Sequence, residues 1–297
     1  MSENIFVSIV GRPNVGKSSL LNRLMGEKIA IVSDKPQTTR NRITGVLTEG
    51  ETQYVFIDTP GLHKPKSKLG KFMVKQIGDS VADVDAIVLV TECEGNVTAV
   101  EKQLVESIKA NGAPAILAVN KVDALENKEL MLSKIAAFAE LHDFESVVPI
   151  SALKGDGVDI LLKELKPFCV EGDHFFPDDT LTDQPERAVA AELIREKLLR
   201  NLRDEIPHGT AVMIELFRER EDAEMIDIEA TIVCEREAHK GIIIGKGGAM
   251  LKKILTEARR DIENFLDIKV NLQCWVKVRE GWRDSDAQLK NFGFTDN

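Results

Sequence analysis

The sequence predicts an α/β chain of two domains, a mostly parallel sheet covered by helices and then a smaller α+β domain. Three observations predict it. Apolar, strand-like runs alternate with helix-like stretches from residue 5 to residue 165. That rhythm stops near Val170 in a polar stretch punctuated by Gly172 and Pro177. A different order, α-β-β-α-α-β, follows it. The 297 residues suffice for two domains of ordinary size. The expected boundaries are 1–172 for the first domain, 173–184 for a linker and 185–297 for the second.

In the first domain the strand-like runs are 5–10, 54–57, 86–90, 115–119 and 147–150. A further strand at 42–49 is expected to pair with 53–57 across Gly50. The helix-like stretches are 18–25, 71–81, 98–110, 128–141 and 158–165, each with apolar residues at helical spacing. In such a sheet, ligands gather at the carboxyl ends of the strands. In the linker, Phe175 and Phe176 are expected to dock onto a domain as packing. The second domain opens with a helix at 185–202, then strands at 210–218 and 225–234. A short helical stretch leads to Gly245-Lys246-Gly247-Gly248, followed by a helix at 249–266 and an alternating strand at 269–278.

Composition narrows the class. The chain is 43% hydrophobic and 30% charged, in the range of globular proteins. Cys93, Cys169, Cys234 and Cys274 are scattered without C-x-x-C spacing, so neither a zinc site nor a redox pair is indicated. They suit small apolar positions in a reducing cytosol. Met1-Ser2-Glu3-Asn4 carries no basic or apolar targeting signal, and no run is long enough to span a bilayer, so a cytoplasmic location is expected. The net charge of −10 argues against broad nucleic-acid affinity. Residues 239–260 depart from that balance: Lys240, Lys246, Lys252, Lys253, Arg259 and Arg260 face the single acid Glu257, a local basic footprint.

Gly11-Arg12-Pro13-Asn14-Val15-Gly16-Lys17-Ser18 sits between the first strand and the first helix, the context that a G-x-x-x-x-G-K-[ST] phosphate loop requires. Its glycines let the backbone wrap an anion, and its N–H groups and the helix N-terminus, through Ser19, point at phosphates. Lys17 can reach the β and γ phosphates, and Ser18 can offer a hydroxyl to Mg²⁺. Asp58-Thr59-Pro60-Gly61 ends the 54–57 strand; Asp58 can hold Mg²⁺ through water, and the Gly61 N–H can meet the γ-phosphate. Asn120-Lys121-Val122-Asp123 ends the 115–119 strand. Asp123 can accept from guanine N1–H and N2–H₂, a donor pair that adenine lacks. Lys121 can lay its stem on the base, and Asn120 can bridge to the phosphate loop. Ser151-Ala152-Leu153 ends the next strand, where a backbone N–H can meet guanine O6. Motif order and placement at strand ends together predict a GTPase rather than a set of chance turns.

Gln37-Thr38-Thr39-Arg40 precedes the second strand. Thr39, with Thr38 as the alternative, is the candidate for the threonine that ligates Mg²⁺ in the γ-phosphate state. Residues 33–42 and 62–70 become the two switch loops. Lys64, Lys66, Lys68 and Lys71 make the second basic, or form a solvated face. Leu62 stands where many GTPases carry a water-orienting glutamine, so slow intrinsic turnover is expected. The direction of Arg12, which resembles an arginine finger in type, is not legible. Asn14 can ligate a monovalent cation such as K⁺.

In the second domain, Gly245-Lys246-Gly247-Gly248 between helical segments allows close approach of a sugar–phosphate backbone. Ile242, Ile243 and Ile244 can floor unstacked bases, and Lys240, Lys246, Lys252 and Lys253 can meet phosphates. With the element order and the basic cluster, this reads as a KH domain rather than a turn beside a solvated helix. Trp275 and Trp282 are candidates for base stacking, and Trp275, on a strand, suits a core equally. The alternative to RNA binding is a GTPase whose C-terminal domain engages a protein partner.

On these motifs, and on His239-Lys240-Gly241-Ile242-Ile243-Ile244-Gly245-Lys246-Gly247-Gly248, the chain resembles the Era family of bacterial GTPases over nearly its whole length. The resemblance implies a Ras-like P-loop GTPase domain followed by a type II KH domain. It further implies GTP and GDP as ligands with Mg²⁺, binding to 16S ribosomal RNA near its 3′ end, and a role in assembling the small (30S) subunit. Action as a monomer and peripheral contact with the cytoplasmic membrane complete the expectation. Leu62 fits the family, which lacks the catalytic glutamine.

Overall fold

The computed structural model describes the chain apart from residues 63, 64, 66, 83, 126 and 295–297 and the side chains of 79, 81 and 82. Lys64 and Lys66 of the expected second switch loop therefore lie outside the described residues. Contacts divide the chain into two units. The first comprises Met1–Ala30, Thr39–Lys64 and Met73–Asp183; the second comprises Ile31–Thr38, Pro65–Phe72 and Gln184–Asn297.

The first unit runs β1 (Glu3–Val10), α1 (Lys17–Met25), β2 (Ile43–Glu49), β3 (Thr52–Asp58), α2 (Lys68–Ala82), β4 (Ala86–Glu92), α3 (Ala99–Asn111), β5 (Ala115–Asn120), α4 (Lys128–Ala139), β6 (Ser146–Pro149), α5 (Val158–Leu165) and β7 (Val170–Glu171). The first residues of α2, through Phe72, group with the second unit. The sheet order is β2-β3-β1-β4-β5-β6, with β7 pairing antiparallel to β1. Only β2 along that path is antiparallel to its neighbour, joined to β3 across Gly50 as expected. The central strands are mostly apolar because helices cover both faces, and all six residues of β5 are buried. Leu104, Val105 and Ile108 of α3 pack on Leu89 and Leu117. A capping box starts α3, with Thr98 and Glu101 each accepting from the other's backbone N–H.

Residues 173–183 lie along the edge of this unit. The Gln53 side chain accepts from the Phe175 and Phe176 N–H groups at 2.9 and 3.0 Å, and Phe175 meets the Phe6 ring edge-on at 4.8 Å. The Val46 N–H donates to Leu181 O at 2.9 Å.

The second unit contains α6 (Glu186–Asn201), β8 (Ala211–Glu219), β9 (Met225–Cys234), α7 (Glu237–Ile244), α8 (Ala249–Leu266), β10 (Lys269–Val278) and α9 (Asp286–Asn291). Its sheet order is β10-β9-β8, with β9 antiparallel to β8 and parallel to β10. A parallel neighbour requires a long crossover, which α7 and α8 supply. Ile194 and Leu198 of α6, Ile228 and Ile232 of β9, and Ile254 and Ile262 of α8 form the core. Trp282 belongs to structure rather than to base stacking: it is fully buried, donates from Nε1 to Gly209 O at 3.0 Å, and packs on Phe292 and Phe294. Trp275, on β10, is 46% exposed.

Candidate functional site

The phosphate loop joins β1 to α1, so its backbone ends at a helix N-terminus. Gly16 caps α1 with φ +100, and a Cβ there would sit 2.2 Å from Asn120 Nδ2. Asn120 uses this closeness. Its Nδ2 donates to Val15 O at 2.7 Å, and its Oδ1 accepts from the Ala152 N–H at 2.9 Å. One amide thus ties the phosphate loop to the two segments expected to face the base. Val15 is buried, and Ser19 lies in the first turn of α1. Asn14 takes a left-handed conformation, φ +64. The Lys17 ammonium is buried and donates to Gly11 O and Arg12 O, both at 3.1 Å. Burial lowers its pKa to about 8, with the Asp58 charge opposing the shift.

Ser18, Thr39 and Asp58 converge. Ser18 Oγ donates to Asp58 Oδ2 at 2.6 Å and lies 2.8 Å from Thr39 Oγ1. Thr39, not Thr38, joins this cluster, since the Thr38 hydroxyl donates to Lys35 O at 2.6 Å. Asp58 is fully buried at the end of β3, and its Oδ1 is a buried acceptor without a partner among the described residues. Burial raises its pKa to about 6, against the pull of Lys17 and Ser18. Hydroxyl and carboxylate oxygens around an unsatisfied buried acceptor fit a hard, oxygen-seeking cation such as Mg²⁺. Gly61 packs against Pro13 of the phosphate loop. Leu62 is buried in the apolar cluster with Val10 and Ile77.

The residues expected to read the base also meet. Asp123 Oδ1 accepts from Ser151 Oγ at 2.7 Å, which aims the carboxylate. Lys121 has φ +69 and a half-exposed side chain. Arg23 of α1, which the motif reading missed, donates to Ala152 O at 3.3 Å and to Leu153 O, holding the last loop from below. Leu153 itself is 74% exposed. Arg12 is no arginine finger here: its guanidinium faces Glu92 and Glu101 within the unit. The T-x-x-E pattern of Thr98 and Glu101 marks a capping box in sequence, but nothing in sequence places Arg12 against it.

Part of the expected first switch loop groups with the second unit. Ile31 sits in that unit's core, and the Val32 N–H donates to Glu196 Oε1 at 3.0 Å. Lys35 donates to the carbonyls of Leu199 and Leu202 at the end of α6, a position that favours a cation. The start of α2 does likewise: the Lys68 N–H donates to Asp284 Oδ1 at 3.0 Å.

In the G-x-x-G turn, Gly247 has φ +58 and Gly248 caps α8 with φ +79. Lys246, Lys252 and Lys253 are exposed around it, and Lys240 is half-buried. Ile243 corrects the expected apolar floor. It is fully buried in the core because it lies on the inward face of α7, leaving Ile242 at 49% exposure and Ile244 partly packed. Among the described residues no His/Cys/Asp/Glu cluster could hold a further metal, and no helix is long and apolar enough to cross a membrane.

Residues 6–121 match a family described as 50S ribosome-binding GTPase, and residues 205–283 match the KH domain. GTPase Era of Ruminiclostridium cellulolyticum is 51% identical over 98% of this chain and 97% of its own. GTPase Era of Clostridioides difficile is 51% identical over the full length of both. The chain belongs to the Era family of GTPases. Solved Era structures have the same fold. One, Era in complex with MgGDPNP and nucleotides 1506–1542 of 16S ribosomal RNA, is 37% identical with a TM-score of 0.95 over 100% of both chains. A variant of Aquifex aeolicus Era bound to GDP·AlF4⁻ is also 37% identical, with a TM-score of 0.95 over 99% of this chain and 100% of that one.

Proposed function

We propose that this Era-family chain is a GTP-hydrolysing switch whose KH domain binds 16S ribosomal RNA near its 3′ end and assists assembly of the small ribosomal subunit. One observation carries the reading. The chain matches, end to end, a fold solved with both MgGDPNP and 16S nucleotides, and it keeps both the phosphate loop and the basic G-x-x-G turn. The description of the matched GTPase family refers to 50S, but that match ends at residue 121; the small-subunit reading rests on the full-length likeness.

Ser18, Thr39 and Asp58 would hold Mg²⁺, which would supply positive charge to neutralise the phosphates. Lys17 stands to stabilise charge developing on the γ-phosphate, together with the N–H groups of residues 14–18 and Gly61. Water attacks the γ-phosphorus in line, giving GDP and phosphate. Leu62 cannot orient that water, so unassisted turnover is slow. Asp123, Lys121 and the Ser151-Ala152-Leu153 backbone read guanine. In this reading Asn14 also ligates a monovalent cation such as K⁺, and equal rates in Na⁺ and K⁺ would remove that assignment. Lys240, Lys246, Lys252 and Lys253, with the Gly245, Gly247 and Gly248 backbone and the exposed edges of Ile242 and Ile244, form the RNA-binding set. A cytoplasmic monomer, with membrane contact secondary, completes the reading.

The test is binding of single-stranded RNA matching the 16S 3′ end, with a GTP analogue, with GDP and without nucleotide. Tight, nucleotide-dependent binding that Gly247→Asp abolishes is the expected result. Absence of RNA binding with guanine nucleotide binding intact would overturn the RNA assignment and favour a protein partner.

A further inference from the structure

Glu92 closes β4 beside Asn120 in the parallel register with β5. None of the nucleotide motifs includes it. Its two carboxylate oxygens take different cations: Oε2 accepts from Arg12 Nη2, and Oε1 accepts from Lys121 Nζ. Arg12 is the second residue of the phosphate loop, and Lys121 is the lysine whose stem is placed to lie along the base. The Glu92 side chain is 25% exposed and that of Arg12 27%, so water screens these pairs only in part.

The pair is braced from behind. Arg12 Nε lies 3.6 Å from Glu101 Oε1. Glu101 is fully buried and immobilised. It accepts from Thr91 Oγ1 at 2.6 Å and from the Thr98 N–H and hydroxyl at 2.8 and 2.9 Å, and Lys134 Nζ is 3.5 Å away. The Arg12 carbonyl in turn accepts from Lys17. Without Glu92, Arg12 and Lys121 would be neighbouring cations with no shared counter-charge among the described residues; burial and then the Arg12 charge already push the Lys121 pKa down.

We infer that Glu92 is a positioning residue for guanine-nucleotide binding, a shared carboxylate that holds the phosphate loop at Arg12 and the base-stacking lysine at Lys121 in one fixed spacing. The fixed spacing removes an ordering cost that the nucleotide would otherwise meet, so the contribution appears in affinity. This inference rests on the guanine-nucleotide reading of the site. Asp123→Asn tests that reading separately, since it should weaken GDP and favour xanthosine diphosphate.

The experiment is a double-mutant cycle on the full chain, with the dissociation constant of a fluorescent GDP as readout. Glu92→Gln keeps the shape and removes the charge; Lys121→Met keeps the stem over the base and removes the ammonium. Glu92→Gln is expected to weaken GDP about tenfold, chiefly through faster release, with kcat at saturating GTP changed less than about twofold. In the Lys121→Met background its effect should shrink to below about threefold, which a general loss of stability would not produce. An equal effect in both backgrounds, or no effect in either, overturns the inference while leaving the guanine reading intact if Asp123→Asn behaves as stated. Should Glu92→Gln fail to fold, Arg12→Met and Lys121→Met replace it. Both act through one carboxylate, so their combined effect must fall short of the product of the single effects, and a full product overturns the inference.

Discussion

Arg195, on the first helix of the second unit, donates through Nη2 to the carbonyl of Thr38. The next residue, Thr39, places its hydroxyl 2.8 Å from Ser18 Oγ in the Ser18–Asp58 cluster of the first unit. A single peptide bond therefore separates a residue held by α6 from the residue proposed to serve the γ-phosphate. Arg195 is itself held, its Nε donating to Glu192 Oε1 at 2.8 Å. Arg195→Ala should slow GTP hydrolysis several-fold while changing GDP affinity little, since in the proposed mechanism Thr39 serves only the triphosphate state. Glu192→Ala, which leaves the Thr38 contact, should have a smaller effect. Because Arg195 is 1% exposed, its loss should also cost about 1–3 kcal/mol of stability, read from denaturant melts. Single-turnover rates equal to those of the parent chain would disprove the coupling.

Asp58 carries a conflict between folding and function. It is fully buried with one oxygen unpartnered among the described residues, so its charge is costly despite the nearby Lys17. Asp58→Asn is expected to leave the nucleotide-free melting temperature unchanged or raised. It should abolish the stabilisation that added Mg²⁺ and GTP analogue give the parent chain, and should lower the hydrolysis rate by about a hundredfold or more. A nucleotide-free variant that melts well below the parent would contradict this account.

The exposed lysines after the G-x-x-G turn should act on RNA alone. Lys252→Glu and Lys253→Glu together are expected to weaken RNA binding by tenfold or more, in roughly the same proportion for any sequence, and to flatten its salt dependence. Hydrolysis without RNA should not change. Filter binding across a salt series measures the slope. An unaltered slope would remove these two residues from the interface.

The sheet of the second unit carries an acid-sensitive pair. Asp227 accepts from Arg220 Nε and Nη2 at 2.8 and 2.7 Å and from Asn271 Nδ2 at 2.7 Å. The Arg220 bonds first, then Asn271, hold its pKa at about 2, below the ordinary 3.8. A depressed carboxyl pKa means that the stabilisation is complete above the ordinary value and disappears as pH falls through about 2. Carbon NMR titration should find the Asp227 midpoint near 2, and Arg220→Ala should move it back towards 3.8. A midpoint already ordinary in the parent chain would show that the pair does not form in solution.

Most strands and helices were legible because periodicity reports which face of an element is buried. β9, α5, α8 and β10 have the bounds that the pattern indicates. Ile243 and Trp282 were less so. Three consecutive isoleucines on a helix must point in three directions, and which one meets the core depends on where α7 lies against its sheet. Trp282, near a basic segment, is expected to stack on bases, until burial and the bond from its Nε1 to Gly209 O place it in the core.

The nucleotide motifs were written in the chain itself, since phosphate wrapping, magnesium ligation and guanine reading each need particular residue types at strand ends. Their order determined the GTPase chemistry, and the α-β-β-α-α-β order with the G-x-x-G turn and the basic cluster determined the KH grammar of the second half. Only the tertiary structure decided that Thr39 rather than Thr38 joins Ser18 and Asp58, that Arg12 turns to Glu92 and Glu101, and that residues 31–38 pack with α6. These are contacts between residues far apart in sequence, between side chains with several possible partners. Local pattern carries the hydrophobic period and the turn chemistry; the partner of a long charged side chain is chosen by which strand ends the sheet brings together.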